Sequence, residues 1–231
     1  MTTAPPAGRG WWGCLLDPAL IAENLALVRG RVGPDVQILA ATKYVEADDL
    51  PALHEGGVRL VGENRSDALI TKQEAHRDLF TWDFIGHVQS RKVREVVGRV
   101  RLIHAIDSLS ACRRMQDQAE SPVDCLLQVN VAGEDTKSGV PIAGVAAFLD
   151  EVAPLDRVRL CGLMTMPPLA EDPEEARPWF AALRELRDRL RPEWEGRHDF
   201  AHLSMGTSQD YAVAAGEGAT IVRVGTVLYR G

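Results

Sequence analysis

Lysine is scarce in this chain: of 26 basic residues only Lys43, Lys72, Lys92 and Lys137 are lysines, and arginine supplies the rest. A nucleotide-level bias toward arginine would produce the same scarcity, so the count draws attention to each lysine without assigning it a role. None of the four cysteines, Cys14, Cys112, Cys125 and Cys161, stands in a CxxC pair. Three of them sit in apolar contexts that suit buried reduced thiols, which points to a reducing cytoplasm. Long apolar stretches are absent, and the opening MTTAPPAGRG lacks the basic-then-apolar order of a secretory signal, so neither membrane insertion nor export is expected. There is no extended basic run either. With a formal net charge of −7 the chain offers phosphate backbones little, which argues against a nucleic-acid partner. Arg184, Arg187, Arg189 and Arg191 are interleaved with Glu185 and Asp188 and read as a solvated helix. No Ser-, Gly- or Pro-rich linker and no sequence repeat divides the chain.

What is present is a regular alternation. In 231 residues, 45% hydrophobic and 26% charged, apolar β-branched runs alternate with stretches of helical period, the pattern of βα units around a parallel sheet. Eight runs are expected as strands: Val36–Lys43, Arg59–Glu63, Trp82–Gly86, Leu102–Asp107, Asp124–Asn130, Leu160–Met166, His202–Met205 and Ile221–Leu228. An additional helix over about Pro18–Arg31, started by Asp17 and Pro18, precedes them and plugs or flanks the barrel bottom. The expected fold is α/β, a (β/α)8 TIM barrel with an extra N-terminal helix; a doubly wound open sheet is the alternative. Residues 1–16 are expected to form a flexible segment ahead of one domain spanning residues 17–231.

In such a barrel chemistry sits at the C-terminal ends of the strands. The run ILAATK brings Lys43 to one of them. A lysine reaching solvent is the ordinary reading. The functional one is a Schiff-base amine, with desolvation by the barrel wall disfavouring the ammonium and freeing a nucleophile for an aldehyde. In LSMGTSQD, the residues Ser204, Gly206, Thr207 and Ser208 offer hydroxyls and unhindered N–H groups at a strand-to-helix turn. They suit either a phosphate or a simple turn capped by Ser208 or Asp210. Gly225 and Thr226 of IVRVGT end the next strand and can converge on the same anion. Arg223, two residues earlier, shares the face of Gly225 and lies deeper. It would pair either with a core acid such as Glu63 or with a cofactor ring nitrogen.

The segments ILAATKY, VGENR, WDFIGHVQSRK, IHAID, LLQVNV with EDTKSGV, LCGLMTM, LSMGTSQD and ATIVRVGT occur in an order that resembles the pyridoxal-phosphate homeostasis protein family, from about Leu25 to Tyr229. The resemblance implies an alanine-racemase-like barrel with pyridoxal 5′-phosphate (PLP) held covalently on Lys43. It further implies phosphate contacts from Ser204, Gly225 and Thr226, and Arg223 facing the pyridine nitrogen. Asn64 of GEN, together with His87 and Ser90 of GHVQS, would lie near the cofactor, while Met205 and Met164 pack the ring or the wall. Two departures stand out: Asp83 occupies a position where the family usually has histidine, and Tyr44 follows Lys43 where a smaller or hydroxylic residue is common.

The implied role is PLP homeostasis, holding the cofactor and supplying or buffering it for PLP-dependent apo-enzymes, as a monomer without established turnover. An arginine, permanently charged and donor only, favours an unprotonated ring nitrogen and a weak electron sink. A racemase-like enzyme is the first rival. It would need a second base, and the chain's only tyrosines are Tyr44, Tyr211 and Tyr229. Lys137 matches a lysine of the family's SKSG-like segment and is a candidate transfer lysine. A metal-dependent barrel built on His87, His104, His202 and Asp107 is the lower-ranked rival, since these residues lack short paired ligand spacing.

Overall fold

The computed structural model describes residues 16–134, 137–168 and 170–229. Cys14 and nearly all of the 1–16 segment therefore lie outside the described residues. Strands β1 (Gln37–Ala41), β2 (Leu60–Glu63), β3 (Thr81–His87), β4 (Leu102–Ile106), β5 (Val123–Asn130), β7 (Val158–Met164), β8 (His202–Ser204) and β9 (Ile221–Val224) pair in parallel. Their order β4-β3-β2-β1-β9-β8-β7-β5 is closed by a β4–β5 pairing, so the sheet is an eight-stranded barrel and the open-sheet alternative falls away. A two-residue strand, β6 (Val140–Pro141), pairs in parallel with the last two residues of β5, Val129 and Asn130. It is too short to leave a periodic signal.

Helices α1 (Pro18–Val32), α2 (Leu50–Glu55), α3 (Ser66–His76), α4 (Val93–Val96), α5 (Leu109–Gln118), α6 (Val145–Val152), α7 (Arg177–Glu193), α8 (Tyr211–Gly216) and α9 (Thr226–Tyr229) accompany the strands. The Asp17 carboxylate accepts from Ala19 N–H at 2.9 Å and Pro18 opens the helix, which is why α1 begins where the sequence predicts. α1 packs on α9, α8 and α2, so it flanks the barrel in the outer ring of helices and plugs nothing. α7 carries the arginine-rich stretch. Its Phe180, Leu183, Leu186 and Leu190 are buried in a stripe of i, i+3 and i+4 spacing; Glu185, Asp188 and Arg189 are exposed, whereas the Arg187 side chain is largely covered.

Burial divides by strand face. Outward residues such as Val222, Val224 and Leu203 join the large core beneath the helices, whereas Leu39, Leu102, Leu126, Met164 and Ile221 form a smaller cluster inside the barrel. The barrel interior is not purely apolar: Asp83, His104, Ser204 and Arg223 are buried there too.

Several strand boundaries differ from expectation by a residue or two, β7 spanning Val158–Met164 rather than Leu160–Met166, and two differences bear most on the site. The last strand ends at Val224 rather than Leu228, because the chain turns at Gly225 into α9; Ser208 Oγ accepts from Gly225 N–H at 3.0 Å and from Val227 N–H at 3.4 Å, capping that turn. Likewise β1 ends at Ala41, and Lys43 sits in the following turn, closed by Val45 N–H to the Thr42 carbonyl at 2.9 Å.

Candidate functional site at the barrel mouth

Because all eight barrel strands run parallel, the residues that follow them share one rim. Lys43 follows β1, Asn64 follows β2, His87 closes β3, Asp107 follows β4, Lys137 follows β5, Met166 follows β7, Gly206 follows β8, and Gly225 with Thr226 follow β9.

Lys43 is exposed, its ammonium 4.7 Å from the centroid of the Tyr44 ring, which is itself 59% exposed. The wall therefore does not supply the desolvation expected from the apolar strand, since the strand stops two residues short of the lysine. The backbone just before Lys43 is tightly held. Tyr229 Oη donates to the Ala41 carbonyl at 3.0 Å, and Lys72 Nζ donates to the Thr42 carbonyl at 2.8 Å. Thr42 Oγ1 in turn donates to Glu63 Oε1 at 2.7 Å, and Glu63 Oε2 accepts from Asn64 N–H at 3.2 Å. Glu63 is fully buried and ion-paired with Lys72. Burial and the nearby Glu63 carboxylate push the Tyr229 phenol well above its usual range, which keeps it a donor.

Glu63 is thus not the partner of Arg223. The Arg223 guanidinium, 6% exposed, donates through Nη1 to the Ser204 carbonyl at 2.8 Å and to Ser204 Oγ at 2.5 Å. Through Nη2 it reaches the Thr165 carbonyl at 2.8 Å and Met166 Sδ at 2.9 Å. No carboxylate forms a salt bridge with it among the described residues. Burial brings its pKa down to about 10, with Asp210 pulling the other way, so it stays charged at neutral pH. Met166 is 49% exposed and a thioether accepts weakly, so this N–H is the one a better acceptor at the mouth would take.

Gly206 and Gly225 differ in kind. Gly206 has φ +92° and a Cβ there would lie 2.6 Å from the Ala214 Cβ, so backbone and packing both require glycine. At Gly225 a Cβ would meet Ala41 atoms only at 3.5 and 3.7 Å, which is ordinary contact. Glycine at 225 is not required for space; its N–H is taken by Ser208 Oγ, and what the missing side chain leaves is room beside the backbone at the rim. The turn between them is built by Asp210, whose Oδ1 accepts from Thr207 N–H at 2.6 Å and from Thr207 Oγ1 at 2.9 Å. Asp210 caps backward onto Thr207 and makes no side-chain cap to α8.

Ser204 and Met205 are placed elsewhere than expected. The Ser204 hydroxyl is fully buried between Arg223 and His104 inside the barrel, away from the rim, so it is no part of the phosphate-facing surface. Met205 is fully buried in the outer core beneath the helices because alternation along the chain turns it away from the lumen; Met164 does face inward. Met166, expected as the end of its strand and given no site role, takes the rim position. His87 is exposed with Nδ1 3.2 Å from Asp107 Oδ1, and Asp107 Oδ2 accepts from Gly139 N–H at 2.9 Å. Ser90 Oγ lies 2.7 Å from Ser110 Oγ. Lys137 is exposed on the loop between β5 and β6, its N–H bonded to the Glu134 carbonyl at 3.0 Å.

The proposed metal set is not brought together. His87 pairs with Asp107 at the rim, His104 lies in the interior against Asp83 and Ser204, and His202 begins β8 at the other end. No cluster of three or more His, Cys, Asp or Glu side chains suited to a metal occurs among the described residues, and no helix there is long and apolar enough to cross a membrane. Of the tyrosines, Tyr211 Oη accepts from Arg31 Nη1 at 3.1 Å and Tyr229 is held on Ala41, leaving Tyr44 beside Lys43.

A family model described as alanine racemase, N-terminal domain, matches residues 16–231. The chain is 41% identical over 204 residues to the pyridoxal phosphate homeostasis protein of Aquifex aeolicus, a match covering 87% of this chain and 89% of that one. It is 36% identical over 223 residues to the protein of the same name from Pseudomonas aeruginosa, covering 90% and 94%. Among solved structures, PipY of Synechococcus elongatus superposes with a TM-score of 0.82 without PLP and 0.80 with PLP bound, at 33% and 32% identity, over 91% of this chain and 100% of PipY. Alanine racemase from Corynebacterium glutamicum, at 14% identity, shares the fold with a TM-score of 0.73 over 61% of its length.

Proposed function

We propose that the chain, which belongs to the pyridoxal phosphate homeostasis protein family and carries its alanine racemase N-terminal domain, binds PLP on Lys43 in the cytoplasm and supplies or buffers it. The observation that carries the reading is Arg223: a buried guanidinium without a carboxylate partner among the described residues, with one N–H resting on the exposed thioether of Met166. A pyridine nitrogen is the better acceptor such a site suits. The donor set fits the rest of the molecule. Thr226 offers its hydroxyl and backbone N–H to a phosphate, Gly225 leaves room for it to approach, and Ser208 and the Gly206 turn stand beside them; Lys43 offers its amine across the rim.

When bound, PLP would supply an aldehyde, with which the Lys43 amine would condense reversibly, a C=N bond replacing C=O as water leaves. Arg223 remains a charged donor and carries no proton to the ring. Asn64, His87 and Ser90 would line the rim around the bound cofactor. Such a site favours retention and release over carbanion chemistry, and a single barrel over residues 17–231, acting as a monomer, would suffice for it. PLP-dependent apo-enzymes are the recipients. Lys137, on the loop after β5, would accept the aldehyde transiently during hand-over; a Lys137→Ala variant is expected to release PLP to an added amine more slowly, and an unchanged rate removes that role.

The test is an absorbance spectrum of protein reconstituted with PLP, followed by borohydride reduction and peptide mass mapping. A reduced adduct on Lys43, lost in Lys43→Ala, is expected. Absence of an adduct on any lysine would overturn the reading.

A further inference from the structure

Across the interior of the barrel a line of polar side chains joins strands that are not neighbours. Asp83 on β3 and His104 on β4 lie on one side, Ser204 on β8 and Arg223 on β9 on the other. His104 Nε2 is 3.0 Å from Asp83 Oδ2, His104 Nδ1 is 2.9 Å from Ser204 Oγ, and Ser204 Oγ is 2.5 Å from Arg223 Nη1. Asp83 is further held by Arg101, through Nε at 2.9 Å and Nη2 at 2.6 Å, and Arg101 reaches Gln37 Oε1 at 2.6 Å. Asp83, His104 and Ser204 are all fully buried.

Each link has only one possible direction. Burial drives the His104 pKa down, with Asp83 pulling partly against it, so the ring is neutral. Burial raises the Asp83 pKa, but hydrogen bonds from His104 and Arg101 more than offset this and hold it below its ordinary value, so it is a carboxylate and can only accept. The single ring proton of His104 therefore sits on Nε2, and Nδ1 is left as an acceptor. The Ser204 hydroxyl must donate to Nδ1, which turns its oxygen lone pairs toward the Arg223 N–H. An arginine cannot accept, so no alternative polarity of the line satisfies all of its members.

We infer that Asp83, His104 and Ser204 form an oriented relay whose role is to position Arg223 and hold its guanidinium toward the acceptor at the barrel mouth. The inference rests on the reading of Arg223 as the partner of the ring nitrogen. The relay fixes two of the guanidinium N–H groups on Ser204 and so determines which edge is turned to the mouth. It also links the buried cation to the carboxylate of Asp83, which no direct contact does. These three are positioning residues; none lies on the rim.

The decisive experiment compares wild type, Ser204→Ala, Ser204→Thr and Asp83→Asn, each loaded with PLP, by dissociation constant, by the absorption maximum of the bound cofactor, and by borohydride trapping. Loss of one hydrogen bond to a charged group corresponds to about a tenfold weaker affinity or more. Ser204→Ala and Asp83→Asn are expected to show that loss together with a shifted absorption maximum, while trapping on Lys43 persists and Ser204→Thr stays within about twofold of wild type. Should Ser204→Ala fail to fold by circular dichroism, Ser204→Cys, which keeps the volume and weakens the acceptor, is read in its place. Wild-type affinity and absorption in folded Ser204→Ala, or in its substitute, and in Asp83→Asn would overturn the relay. A wild type that traps nothing on Lys43 would instead overturn the function proposed above, so the two failures are distinct.

Discussion

Lys72 and Glu63 form a buried ion pair directly behind the two strand ends that carry Lys43 and Asn64. The ammonium also binds the Thr42 carbonyl, and the carboxylate gathers Thr42 Oγ1 and Asn64 N–H, so one pair ties β1, β2 and α3 together at the mouth. Breaking a buried pair from one side leaves an uncompensated charge, at a cost of about 3–5 kcal/mol. Lys72→Ala should therefore lower stability in urea by about that amount. Replacing both partners, Lys72→Met with Glu63→Leu, should recover most of it. A single variant within about 0.5 kcal/mol of wild type would contradict the pair's role.

The two rim glycines should separate stability from binding. Gly206→Ala forces a side chain into a left-handed φ and against Ala214, and is expected to destabilise the fold by about 2 kcal/mol. Gly225→Ala has ordinary room and should leave stability within about 1 kcal/mol of wild type. If the PLP phosphate packs against the bare Gly225 backbone, the added methyl should crowd it, and the same variant should bind PLP about tenfold more weakly or worse. Thermal melts with and without PLP distinguish the two effects.

Acid should destabilise the protein through its buried histidines. His198 Nδ1 accepts from Leu160 N–H at 3.2 Å while its ring packs between Trp194 and Phe200, and burial lowers its pKa to about 4. Its unfolded value is near 6.5. Below that pH the unfolded chain binds a proton that the native state refuses, so stability is complete above about pH 6.5 and falls as pH drops toward 4. His104 and His202, also lowered by burial, act in the same direction. His198→Gln keeps an acceptor without a titrating proton, and should flatten the decline in urea midpoints between pH 6.5 and 4.

Cys112, Cys125 and Cys161 are buried free thiols; burial raises the pKa of Cys112 and of Cys161 to about 12 and pushes that of Cys125 well above its ordinary value. Thiolate is the reactive form. None of the three should react with a disulfide reagent in the native protein, and all three should react in denaturant. Mass mapping of the labelled peptides reads the outcome site by site.

Most of the eight barrel strands were legible because they are apolar runs between turn residues, and a closed barrel buries both faces of every strand; β8, His202–Ser204, has no β-branched residue and was marked by its place in the alternation. The rim followed from parallel order: once strands are counted, Lys43, Asn64, His87, Gly225 and Thr226 must share one end. What periodicity could not supply were ends defined by side-chain capture. Ser208 stops β9 at Val224 by taking the N–H groups of Gly225 and Val227, and nothing in IVRVGT announces a partner seventeen residues earlier.

The site's interior is likewise a product of assembly. Alternation was enough to turn Arg223 inward, but Glu63, its proposed partner, is claimed by Lys72 from a helix. Ser204 and His104 lie 100 residues apart and meet only across the closed lumen. Composition and local pattern therefore decided which residues form strands, which face each takes and which reach the rim, because those depend on backbone period and on chain direction. Which polar groups pair was decided only by closure of the barrel, because a buried donor must find an acceptor among whatever the ring of strands brings within hydrogen-bond distance, however far along the chain it lies.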